Sequence, residues 1–69
     1  MSQRTKVLQW LEQGKSITPL VALREFGALR LGARIYELRR RGYRIDNQWE
    51  TDGRKRWARY RLVGGRKVA

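Results

Sequence analysis

At Gly42 the spacing of apolar side chains changes from a helical to an extended period, so the chain must fold differently on either side of it. Before Gly42, apolar residues recur three and four positions apart. After it they alternate, in two runs that flank Asp52-Gly53, a dipeptide that marks a two-residue hairpin turn. With that dipeptide as the turn, Thr51 faces Arg54, and Tyr43, Ile45, Ala58, Tyr60 and Leu62 share one apolar face. The other face carries Arg44, Asp46, Gln48, Glu50, Lys55, Trp57, Arg59 and Arg61. This register sets Glu50 opposite Lys55 and Asp46 opposite Arg59, cross-strand pairs worth roughly a few tenths of a kcal/mol each.

The helical part divides into three. Val7, Leu8 and Leu11, with Trp10 alongside, predict a first helix over about residues 3–13, stopped by Gly14. Thr18-Pro19 is a start signal: the hydroxyl can accept from a free backbone N–H, and proline at the first helical position has no N–H to leave unpaired. The second helix is expected over 19–26, with Leu20, Leu23 and Phe26 in the core and Gly27 ending it. Ser16 to Thr18 can supply a short bridging strand around Ile17. A third helix is expected over about 29–41. With Ile35 at the centre of its buried face, Leu31, Leu38 and Ala28 fall within about 60° of it. Arg30, Arg34, Glu37, Arg40 and Arg41 fall on the opposite side, with small Ala33 among them. Gly32 costs this helix about 1 kcal/mol relative to alanine, explicable by close approach of another backbone or as a tolerated weakness. Trp10, Tyr43 and Tyr60 are assigned to the core. Trp49 and Trp57 are assigned to packing in preference to stacking on a base or sugar.

Sixty-nine residues support a single domain, expected over 1–63, with 64–69 as a flexible basic tail. The chain has no cysteine and no histidine, so disulfide frameworks and zinc sites built from those residues are ruled out, and neither metal nor cofactor is expected. No run approaches the roughly 20 apolar residues of a membrane span, and a cytoplasmic protein without a membrane partner is the expectation. No Gly-rich phosphate loop, HExxH or nucleophile elbow is present, so neither catalysis nor a small-molecule substrate is expected. Charge is more informative. Seventeen lysines and arginines against six carboxylates give a net +11, and eleven of those cations lie between residues 30 and 61. Charge of one sign opposes compaction and favours association with a polyanion.

The stretch TPLVALREFGALRLGARIYELRRRGYRI, Thr18 to Ile45, resembles that of a small helix-turn-helix family found mainly in bacteriophages and prophages, and the chain as a whole resembles a winged helix-turn-helix domain over roughly residues 5–62. The likeness rests on the Thr-Pro start, the Phe-Gly turn, the RIxxLRxxGYxI exit from the third helix and the WARYRL return strand. It implies an α+β fold of three helices with a C-terminal two-stranded hairpin wing, and DNA binding. A helix of about 10–12 Å diameter fits the major groove of B-DNA. Arg30 and Arg34, one turn apart, are then the candidates for base contacts, and Ala33 beside them for a thymine methyl. Arg40 and Arg41 suit phosphates or, equally, complement the helix dipole. Glu37 is expected to orient Arg34, Arg40 or Arg41 in preference to accepting from a cytosine amine. Arg54, Lys55 and Arg56 at the wing tip suit a phosphate backbone or a minor groove.

The expectation is a sequence-specific binder of double-stranded DNA, a phage or prophage transcription regulator or an excisionase-type recombination accessory factor, acting in the cytoplasm of a bacterial host at the nucleoid. A homodimer on two half-sites is compatible with this reading. Two rivals are an acidic host protein gripped by the basic face, and RNA recognised through Trp57, Arg59 and Arg61 on the outer ribbon face.

Overall fold

The computed structural model describes residues 2–64. Three helices come first, α1 over Gln3–Glu12, α2 over Pro19–Phe26 and α3 over Leu31–Arg40; an antiparallel hairpin follows, β1 over Arg44–Asp52 and β2 over Lys55–Gly64. Ile17 forms the bridging strand, exchanging backbone bonds of 2.9 and 2.8 Å with Tyr60 on the edge of β2 away from β1. This is the α+β arrangement that the sequence predicts. The expected basic tail lies outside the described residues except for Gly64, which ends β2.

Side chains and glycines set the helix ends. Ser2 caps α1 through its hydroxyl on the Thr5 N–H, and Thr18 caps α2 on the Val21 N–H, each at 3.2 Å. At the end of α3, Gly42 adopts a φ of 101°. The Gly42 N–H bonds to the Arg39 carbonyl and the Tyr43 N–H to the Leu38 carbonyl, the paired closure of a Schellman motif. The start of α3 differs from expectation. The helix begins at Leu31, and Arg30 is its N-cap with φ −128° and ψ 69°. Gly27 and Ala28 direct their N–H groups back to the Leu23 and Ala22 carbonyls of α2, so the connection is still closing one helix where the periodicity had started the next.

Val7, Leu11, Ile17, Ala22, Ala28, Leu31, Ile35, Leu38 and Ile45 form one buried cluster, with Trp10, Phe26, Tyr43 and Tyr60 among the partly buried side chains packed on it. Trp10 meets Phe26 edge to face at 5.7 Å and donates to the Ser16 carbonyl at 2.8 Å. The assignment of Leu20 and Leu23 to the core is overturned: they are 65% and 45% exposed, whereas Ala22 is fully buried and Phe26 partly so. With Ala22 at the centre of the buried face, a helical step puts Leu20 about 160° round and Leu23 about 100°. The small side chain faces inward where α2 comes close to its neighbours, and the larger leucines face out.

The hairpin register also differs. Asp52 pairs with Lys55, Thr51 with Arg56 and Ile45 with Leu62, so from Ile45 to Asp52 each β1 residue meets a partner two positions further along β2 than the Asp52-Gly53 turn requires, and a further irregularity between Arg44 and Ile45 sets Arg44 opposite Gly64. Gly53 and Arg54 form the turn, and among the described residues only glycines have positive φ, Gly53 at 63°. That is the demand of a type II′ loop, which needs glycine at its first central position and no strain at its second. Because the shift is two residues, each side chain keeps its predicted face. The expected pairs Glu50–Lys55 and Asp46–Arg59 are replaced by Glu50–Trp57 and Asp46–Arg61.

These assignments predict unequal costs for two truncations in denaturant unfolding. Ile35→Ala should lose about 2–5 kcal/mol, while Leu20→Ala should stay within about 0.5 kcal/mol of the parent. Comparable losses would return Leu20 to the core.

Candidate nucleic-acid interface

Leu31, Ile35 and Leu38 tie one side of α3 to the core, leaving the remainder of the helix to divide into two rows. In the first row, Arg34 is half-buried. Its guanidinium is held by Glu37, with Nε 3.0 Å from one carboxylate oxygen and Nη2 donating to the other at 3.3 Å. Arg4 of α1 approaches the same carboxylate at 3.9 Å. Glu37 therefore orients Arg34, as the i, i+3 spacing predicts, and Arg34 is less available than an open surface arginine. The Arg34 Nε is buried without a well-aligned hydrogen bond; the 3.0 Å approach to Glu37 is an ion pair whose N–H points off the oxygen.

The second row is Gly32, Tyr36 and Arg40, spaced i, i+4, i+8, all exposed and flanked by half-buried Ala33. Tyr36 is 59% exposed, and its hydroxyl accepts from Arg40 at 3.2 Å. A Cβ added at Gly32 would meet nothing within 4 Å, so among the described residues no protein group explains the glycine. Sequence reasoning gave Tyr36 no role; the i, i+4, i+8 row through Gly32 and Arg40 was the available signal. Arg30 is exposed at the N-cap, and Arg41 is exposed at the C-cap. Arg39, also unassigned from sequence, reaches across to β1 and donates to the Ile45 carbonyl through Nη2 at 2.6 Å and Nε at 3.1 Å.

The wing extends well past the core, contributing to overall dimensions of 44 × 23 × 20 Å. Arg54, Lys55 and Arg56 are exposed around its tip. Arg56 stacks over Trp49, its guanidinium carbon 4.2 Å from the ring centroid. Trp49 is 58% exposed, so its assignment to packing is overturned: it shares the face of Ile45 and Tyr60 but lies on β1 closer to the tip, opposite small Ala58. Trp57 is half-buried on the outer face, where it donates to Glu50 Oε1 at 2.8 Å. Arg59 donates to Glu50 Oε2 at 2.7 Å and to the Ser16 hydroxyl at 2.8 Å. This network ties the wing to the α1–α2 connection and engages two of the side chains on which an RNA-stacking outer face would depend.

Hydrogen bonds from Arg59 and then Trp57 lower the Glu50 carboxyl from its ordinary range, and the bond to Glu50 raises Arg59. A depressed carboxyl gives stability that is present above its unfolded-state pKa and lost as pH falls through the folded value. Glu50→Gln should therefore show a shallower loss of melting temperature than the parent when pH is lowered from about 7 to about 3. Parallel profiles for the two proteins would mean that Glu50 is not coupled to folding.

Among the described residues, no helix is long and apolar enough to cross a membrane. No curated protein and no solved structure matches the chain. A family model described as a winged helix-turn-helix domain matches residues 2–65, nearly the whole length, and a domain of that kind points to DNA as partner. Helix order, the Ile17 bridge, the hairpin and that match agree: the chain belongs to the winged helix-turn-helix domain family.

Proposed function

We propose that this protein is a non-enzymatic, sequence-specific binder of double-stranded DNA, a phage or prophage regulator of transcription or an excisionase-type accessory factor acting at the nucleoid of a bacterial host. The observation that carries the reading is α3: one side is fixed in the core by Leu31, Ile35 and Leu38, and the other is exposed and cationic. A helix so mounted fits the major groove. Arg30 at its N-terminal end, with Ala33 and Tyr36, forms the surface that meets base edges. Arg34 contributes from the fixed position that Glu37 gives it, and Arg40 and Arg41 meet phosphates. Arg54, Lys55 and Arg56 carry the wing onto the backbone or into the minor groove. Transcriptional and recombination roles use these same contacts.

A gel shift against fragments of the parent genome at two salt concentrations tests the reading, since phosphate neutralisation makes affinity fall steeply with salt. In that assay Tyr36→Ala should lower affinity for the preferred duplex by about 1–3 kcal/mol and affect random duplex far less. Lys55→Ala should weaken every duplex alike and reduce the salt slope by about 1. Equal losses on preferred and random DNA from both would sink the division between base-reading helix and backbone-reading wing. Gly32→Ala separates stability from function. It should stabilise the fold by about 0.5–1 kcal/mol, because the site is open, while weakening duplex binding if nucleic acid approaches the bare backbone there. Melting and binding measured on the same sample check both parts.

A further inference from the structure

Between the first turns of α1 and the end of α3 lies a cleft of about 290 Å³ lined by Arg4, Glu37, Arg40 and Arg41. A single carboxylate faces three guanidinium groups there, and the fourth, that of Arg34, is already paired with it. Each guanidinium offers five N–H donors, and a carboxylate offers about four lone-pair sites. Glu37 spends its oxygens mainly on Arg34; Arg4 reaches it only at 3.9 Å, and Arg40 directs one Nη to the Tyr36 hydroxyl. The cleft therefore has a built-in excess of positive charge, and the Arg40 and Arg41 side chains that supply it are exposed to solvent. The cleft is shallow and open to solvent, so an oxyanion can approach it while keeping part of its hydration shell. Rigid forks of this kind match the oxygens of a phosphate group.

We propose that this cleft binds a phosphate group of the nucleic-acid backbone, with Arg4, Arg40 and Arg41 as donors and Glu37 holding Arg4 and Arg34 in place. The inference rests on the DNA-binding reading and adds α1 to the contact surface, through a residue to which sequence patterning gave no role. Glu37 has a second effect in this site. Its charge opposes the incoming phosphate, so it limits adhesion to any duplex regardless of sequence.

Fluorescence anisotropy on a random-sequence duplex from 50 to 200 mM salt tests the site. Each phosphate contact contributes about 0.9 to the slope of log affinity against log salt, or about a 3.5-fold change over that range. Arg4→Ala and, independently of α1, Arg41→Ala should each reduce the slope by about that amount, and Arg4→Lys should retain it. Glu37→Gln should tighten binding to the same duplex. Circular dichroism of each variant establishes that it folds. Unchanged slopes in both alanine variants, beside a steep parent slope, overturn the cleft and leave the DNA-binding reading intact. A parent slope near zero overturns that reading and the cleft with it. Inorganic phosphate against chloride at matched ionic strength tests the other source of the same chemistry: a phosphate-specific rise in melting temperature that Arg4→Ala abolishes would assign the cleft to a free anion and overturn the backbone assignment.

Discussion

The apolar stripe of α3, buried in one cluster with Val7, Leu11, Ile17 and Ile45, holds together a chain whose charges push it apart. Sixty-nine residues allow only a small core, and a net +11 works against it. The cations are not left to repel one another unmanaged. Arg39 is spent on the Ile45 carbonyl, Arg59 on Glu50 and Ser16, and Arg34 on Glu37, while Arg56 lies over Trp49. Glu37 lies near two arginines on two helices, and Glu50 binds two side chains across the ribbon. Among the described residues these two carboxylates make all the ion pairs closer than 4 Å. Much of the remaining positive charge is on α3 and the wing tip.

Periodicity made most of the fold legible. The 3.6 repeat fixed the buried faces of α1 and α3, and the alternation after Gly42 fixed which hairpin residues face the helices. What it could not fix was position along a repeat. Asp-Gly and Gly-Arg are both acceptable loops beside one another, and the choice depends on which residue must take positive φ, a property of the closed turn and not of the pattern. The α2 face failed for a different reason. Apolar size was taken as a guide to burial, but close helix packing favours the smallest side chain at the contact, and Ala22 occupies it.

The candidate site was legible by chemistry and less so by direction. Counting charges identified α3 and the wing tip as the basic surfaces. A helical wheel placed Arg34 and Glu37 together on the outward side, but it carries no information about a neighbouring helix. It is the arrival of α1, with Arg4, that draws their row toward a cleft which Arg40 also lines, and leaves Gly32 and Tyr36 open beside it. The assignment of Trp49 to packing fails similarly: an aromatic side chain on an apolar ribbon face suggests burial, and only the length of the ribbon shows that the core ends before reaching it.

The grip of Arg39 on the Ile45 carbonyl joins the last turn of α3 to the first residues of β1, while Arg59 and Ser16 brace the ribbon from behind. With both anchors in place the helix and the ribbon behave as the two jaws of a caliper whose opening is set by the protein. On the DNA-binding reading proposed above, a duplex that meets both jaws has to match that gauge, and any misfit falls on bending or groove narrowing in the duplex. Sequences that deform easily would then be favoured even at base pairs no side chain touches.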